Sequence, residues 1–140
     1  MDELLELRRK VESQDYQGAL SIINELEEMS VEDKLNKIES YMIILLMHLI
    51  KQAVENRTTS SWNRSISNCV KGINKTNKRR RSGGCYVKSE TILEMLYEAY
   101  ADAMEEASYE AFEGKYTINQ LDAMANKDAI IQKATSLIYR

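Results

Sequence analysis

The sequence predicts an all-α fold, a single domain of about five or six helices with two long helices, about 31–55 and 90–112, at its centre. Three observations predict it. The 140 residues contain no proline and only five glycines, the two residues most unfavourable inside a helix. Apolar residues recur at spacings of three and four along most of the chain, the period of one helical face. Short runs of Ser, Thr, Asn and Asp separate those stretches, and their side-chain oxygens are suited to capping helix ends. A chain of this length fits one domain, and it buries roughly two-thirds of its unfolded surface without needing staples.

Taken in order, residues 2–14 read as a first short helix, with Leu4, Leu5, Leu7 and Val11 as candidate buried positions. Asp15 caps a second, in which Leu20, Ile23, Leu26 and Met29 recur at spacings of three. Ser30 with Asp33 resembles a capping box, so a new helix is expected over about 31–55, with Leu35, Ile38, Met42, Leu45, Leu49 and Ala53 on one stripe. "NRTTSSW" at 56–62 breaks it, because hydroxyl side chains compete for backbone donors. Ser60 or Ser61 caps the next helix, about 62–74, with Trp62 in its first turn. "NKTNKRRRSGG" at 74–84 is polar and basic and ends in two glycines; it reads as an exposed loop, with the basic segment running on to about 88. Ser89 opens the second long helix, whose stripe is Ile92, Leu93, Leu96, Tyr100, Ala103, Met104 and Ala107, and Gly114 ends it. Thr117 with Gln120 is a stronger capping box for a helix at 118–125. A last helix at about 127–138 presents Ile130, Ile131, Ala134 and Leu137 or Ile138.

The most apolar stretch is "YMIILLMHLI" at 41–50. It is about half the length of a bilayer span, and Glu39 and Lys51 bracket it closely. Apolar on every side, it reads as a helix enclosed by neighbours, and no membrane association is expected. The start, "MDELLELRRKVE", lacks the basic-then-apolar order of a secretory signal. Cys69 and Cys85 have no framework or metal-ligand spacing. With no export signal, both are expected to be thiols in a cytoplasm.

The mild net charge of −3 hides a strong asymmetry. Residues 1–50 hold five Lys/Arg against eleven Asp/Glu, residues 51–88 ten against one, and residues 89–140 four against ten. A basic middle third therefore lies between two acidic ends.

"INELEEMSVEDKLNKIESYMIILLMHLIK" followed by "SSWNRSI" resembles the cyanobacterial family catalogued as domain of unknown function twenty-nine. The resemblance covers about residues 20–66 and continues more weakly through "LYEAYADAMEEA" and "YTINQLD". Glu25, Met29, Lys34, Glu39, Leu45, Leu46, Met47, His48, Leu49, Lys51, Ser61, Trp62 and Ile66 carry it. It implies an all-helical fold and no established activity. Members usually carry Gln-Pro and an arginine cluster before the Ser-Trp; here "AVENRTTS" has no proline and only Arg57.

The candidate functional residues are few. His48 is the sole histidine. Catalysis needs a nucleophile or acid beside it, and a metal needs two or three further ligands. A packed, hydrogen-bonded core or interface histidine is the expectation. Ser61-Trp62 reads first as a cap with an indole over the preceding helix end. The functional alternative is a partner-facing Trp62, with Arg57 beside it. Glu27-Glu28 and Glu105-Glu106 read as solvated faces, since the Glu-x-x-His of di-iron bundles is absent. "SGGC" forms no phosphate loop. Lys78, Arg79, Arg80, Arg81 and Lys88 are the candidate nucleic-acid contacts, joined by Lys71 and Lys75. Of the aromatics that stack on bases, only Tyr86 is close. No catalytic, cofactor-binding or metal-ligating residue is assigned. The expected function is a non-enzymatic interaction module with a protein partner; the alternative is nucleic-acid binding through residues 71–88.

Overall fold

A computed structural model describes residues 2–79, 81 and 83–140; Arg80, one of the candidate basic contacts, lies outside them. The protein is all-α. The described residues form six helices: α1 (Asp2–Glu12), α2 (Tyr16–Glu55), α3 (Ser60–Asn77), α4 (Ser89–Glu110), α5 (Ile118–Met124) and α6 (Lys127–Ile138). A one-residue bridge between Lys78 and Cys85 is the sole β pairing among them. Internal contacts group residues 1–35 and residues 36–140 separately.

Within residues 1–35, the turn between α1 and α2 is set by Asp15. Its carboxylate accepts from the Gly18 amide at 3.0 Å and sits 3.3 Å from Lys10. The Gly18 amide and then Lys10 hold its acidity below the usual carboxylate value. Asp15 caps α2 as expected, with Gln14 at φ 61° completing the turn. The apolar expectations for this region fail. α1 contains no buried residue, and Leu4, Leu5, Val11, Leu20 and Met29 are about half exposed. Ala19 and Ile22 are the buried positions instead. The break expected at Ser30 is also absent, since α2 runs through it. Residues 29–34 contain neither Gly nor Pro, and a lone serine costs only a few tenths of a kcal/mol in a helix interior.

Within residues 36–140, most of the run predicted to be enclosed is buried. Ile38, Met42, Leu45, Leu46 and Ile50 are fully buried and Leu49 nearly so, whereas Ile44 and Ala53 are exposed. α4 packs on α5 and α6, and α3 on α6. Gly72 lets α3 and α2 approach: a Cβ there would meet the Tyr41 ring at 2.5 Å. Ile92, Leu96, Tyr100, Ala103, Met104 and Ala107 are buried on α4, but Leu93 is 40% exposed. The Thr117–Gln120 box forms in both directions, at 3.2 and 2.9 Å. α6 keeps its expected span and buries Ile130, Ile131, Ala134 and Ile138.

Two termini differ from expectation. Thr59, extended at φ −128° and ψ 161°, caps α3 in place of Ser60 or Ser61. α4 stops at Glu110, not at Gly114. A 3-10 turn at Ala111–Gly114 follows, in which Phe112 (φ 51°), Glu113 (φ 58°) and Gly114 (φ 77°) are all left-handed.

The expected basic loop at 74–88 is partly helix. α3 runs to Asn77, whose side-chain amide clamps Val87 through two hydrogen bonds of 3.0 and 2.7 Å. The Arg79 amide donates to the Gly84 carbonyl at 3.0 Å. Gly83 and Gly84, at φ 74° and 73°, allow the reversal. The connection is thus a closed turn pinned by buried Val87.

Candidate interaction site around Trp62

The Thr59 hydroxyl that caps α3 accepts from the Trp62 amide at 3.0 Å, which places Trp62 in the first turn of the helix. Asn56, left-handed at φ 51°, ends α2 just before it. Asn and Gly tolerate that conformation at a helix end better than other residues do. Together these two local choices bring the end of α2 and the start of α3 onto one indole.

Two cations lie against that ring. The Lys51 ammonium is 4.4 Å from its centroid and the Arg57 guanidinium 4.7 Å. Attraction of a cation to an indole face contributes about 0.5–2 kcal/mol, more as water is excluded. Each cation also has a carboxylate. Lys51 donates to Glu110 at 3.0 Å, and Arg57 to Glu55 at 3.1 Å. Lys51 is buried, at 3% exposure, so its charge depends on Glu110 and the indole. The His48 ring centre is 6.5 Å from the indole centre.

His48 is buried as expected, but its Nδ1 meets no hydrogen-bond partner among the described residues. Burial, and then the Lys51 charge, lower its proton affinity below the ordinary value of 6.5, against a smaller opposing pull from Glu110. The ring is therefore held neutral. Among the described residues, no three His, Cys, Asp or Glu side chains gather into a group that could hold a metal.

An open cleft of about 600 Å³ lies over this cluster, lined by Lys51, Glu55, Arg57, Trp62, Glu110, Phe112, Glu113 and Lys115. Its far wall is the left-handed turn after α4. Non-glycine residues in that conformation cost on the order of 1–3 kcal/mol each, and such strain concentrates at binding sites. Three cations balance three carboxylates, so the cleft has no strong field of one sign. Its lining contains no Ser, Cys or His. The lining thus combines an indole already contacted by two cations with charged groups of both signs.

Of the two candidate partner contacts, Arg57 lies against the ring of Trp62. Ser61 is exposed and takes no part in the cap. Arg79, Arg81 and Lys88 lie elsewhere, about the turn after α3, with Arg79 5.5 Å from the Tyr86 ring, and Lys78 is the C-cap of α3. Lys71 and Lys75 are exposed on α3 itself. Sequence reasoning missed Lys51, Glu110 and the 112–114 turn as parts of the site. Lys51 does stand one helical turn after His48 and four residues before Glu55, which is a usable signal. Glu110, 59 residues away, has none.

Fold and cleft together give an all-α protein with an open cleft lined by an indole and balanced charges. The chain belongs to the family described as domain of unknown function DUF29, whose profile matches residues 4–130. No curated protein and no solved structure matches it. No helix among the described residues is long and apolar enough to cross a membrane.

Proposed function

We propose that the protein is a non-enzymatic interaction module of the cytoplasm that holds a segment of a protein partner in the Trp62 cleft. The observation that carries this reading is the indole of Trp62, held by Lys51 and Arg57 at the floor of a cleft beside a strained turn. Tryptophan and arginine are the residues most often dominant in binding energy at protein interfaces. Here both are positioned before any partner arrives, which reduces the ordering cost of association.

Affinity purification from the native cell tests it, using the wild type, Trp62→Ala and Arg57→Gln with and without nuclease. A partner retained after nuclease, and lost at least tenfold with Trp62→Ala, is the expected result. Identical recovery on wild type and both variants would overturn the reading.

A second reading has its own supporting observation. No acidic residue lies between Glu55 and Glu90. None of Lys71, Lys75, Lys78, Arg79, Arg81 and Lys88 joins an ion pair among the described residues. A basic segment without a paired carboxylate among the described residues supports contact with nucleic-acid phosphates. Recovery that depends on nucleic acid, and not on Trp62, would favour it.

A further inference from the structure

We infer that the outer face of α3, rather than the turn beyond it that carries Arg79 and Arg81, is a docking surface for double-stranded DNA; this rests on the second reading above and sharpens it. At 100° per residue, Arg64, Lys71 and Lys75 of α3, with Lys78 at its C-cap, fall within a sector of about 60°. The buried residues Ile66, Cys69, Ile73 and Thr76 lie on the opposite side of the helix. All four cations are exposed, as are Ser67 and Asn68 between them. The stripe is about 21 Å long, at 1.5 Å rise per residue.

Its composition separates it from a protein interface. Protein-binding patches have an apolar or aromatic centre with charge at the rim. This face has charge throughout, interleaved with a hydroxyl and an amide, and no apolar side chain on the stripe. Lys, Arg, Ser and Asn are the side chains that hydrogen-bond phosphate oxygens. The same composition separates duplex from single strand. Single-strand surfaces stack bases on aromatic rings, and the stripe has none. DNA is favoured over RNA by shape. The major groove of B-DNA, about 12 Å wide, admits a helix, whereas that of A-form RNA is too deep and narrow for side chains to read. Duplex DNA carries one negative charge per about 1.7 Å of axis, so a 21 Å stripe meets more phosphates than it has cations. Binding is then set by charge, with little preference for sequence.

Fluorescence anisotropy with a labelled 20-base-pair duplex tests the inference on the full chain. Four phosphate contacts give a log–log salt slope near −3.6, roughly a hundredfold loss of affinity between 50 and 200 mM salt. Gln preserves helix propensity nearly as well as Lys and Arg. The triple variant Arg64→Gln, Lys71→Gln, Lys75→Gln should therefore keep its helical circular dichroism. It should also flatten the slope by about 0.9 for each charge removed. The turn variant Arg79→Gln, Arg81→Gln should bind like the wild type. Three results would overturn the inference. Binding lost in the turn variant but kept in the triple variant moves the contact to the turn and leaves the second reading standing. Polyglutamate competing as well as unlabelled duplex assigns the face to acidic protein segments. No binding to any variant or to wild type at 50 mM salt removes both the inference and the reading beneath it.

Discussion

Leu4, Leu5 and Val11 lie on one side of α1, as Leu45 and Leu49 lie on one side of α2. The first three are about half exposed, and the second two are at 0% and 2% exposure. The spacing shows that a helix has an apolar face, and says nothing about what covers it. What separates the two regions is the surroundings. Around residues 42–50 the chain is apolar on every side, and Lys51 and Gln52 next to it are tied to α4 and α6 by Glu110 and Lys133. In residues 1–35 most apolar residues have charged neighbours, and there are ten acidic side chains to four basic ones.

The largest expected effect lies at the packed end of this contrast. Leu45→Ala should destabilise the protein by about 2–5 kcal/mol, the transfer loss plus the cavity left in a core that relaxes only in part. Chemical denaturation measures it. An unchanged midpoint would mean that the run 41–50 is no better covered than α1.

Next is the buried cation beside that run. Glu110→Ala leaves the Lys51 ammonium without its carboxylate, and should cost about 1–2 kcal/mol. The figure is below that for a fully buried pair because Glu110 is 49% exposed and water reaches it. Adding Lys51→Met should recover most of the loss, since an apolar side chain of similar size has no charge to leave unpaired. Trp62 is the sole tryptophan, so its emission reports the same change at the site. Additive losses in the double variant would show that Lys51 and Glu110 are not coupled.

What the sequence revealed follows from how far each signal reaches. The Thr117–Gln120 box, the span of α6 and the enclosed run are local patterns, and each is present. The Ser30–Asp33 box has a similar pattern but no helix end to act on, because nothing between residues 29 and 34 stops the helix. Thr59 displaced Ser60 and Ser61 as the cap because three adjacent hydroxyl residues are equivalent until the backbone turns at one of them. The extension of α3 into the basic segment was hidden by counting Asn and Lys as loop residues, although Asn77 closes the turn by bonding Val87. Of the site, Trp62 and Arg57 were legible because they adjoin a predicted turn. The Lys51–Glu110 pair was not, because burial of a lysine depends on a carboxylate from another helix. Nor were the left-handed Phe112 and Glu113, whose side chains carry no turn preference.

A smaller effect tests whether His48 shares the enclosure of its neighbours. Its folded-state proton affinity is lowered, first by burial and then by Lys51. Between that lowered value and about 6.5 the unfolded chain binds the proton and the fold does not, so stability rises with pH across this window. The contribution is complete above about 6.5 and disappears as pH falls through the folded value. His48→Gln should therefore narrow the stability difference between pH 7 and pH 5 relative to wild type. A difference between the two proteins that is constant over this range would show that water reaches the ring.

The smallest expected effect is at the exposed end. Leu5→Ala should change stability by no more than about 0.5 kcal/mol, the range for surface substitutions away from caps and buried groups. The side chain is 53% exposed, and alanine is the better helix former, so a small loss of contact and a small gain in propensity nearly cancel. Because the expected value is close to zero, the measurement is sensitive to any cover the face acquires in solution. It is best made at two protein concentrations tenfold apart. A cost near that of Leu45→Ala at both concentrations would mean that α1 is packed as tightly as the core. A cost that grows with concentration would mean that a second copy covers the leucines, because stability is linked to protein concentration when association favours the folded state. A cost near zero at both leaves α1 with a helical period and no core of its own.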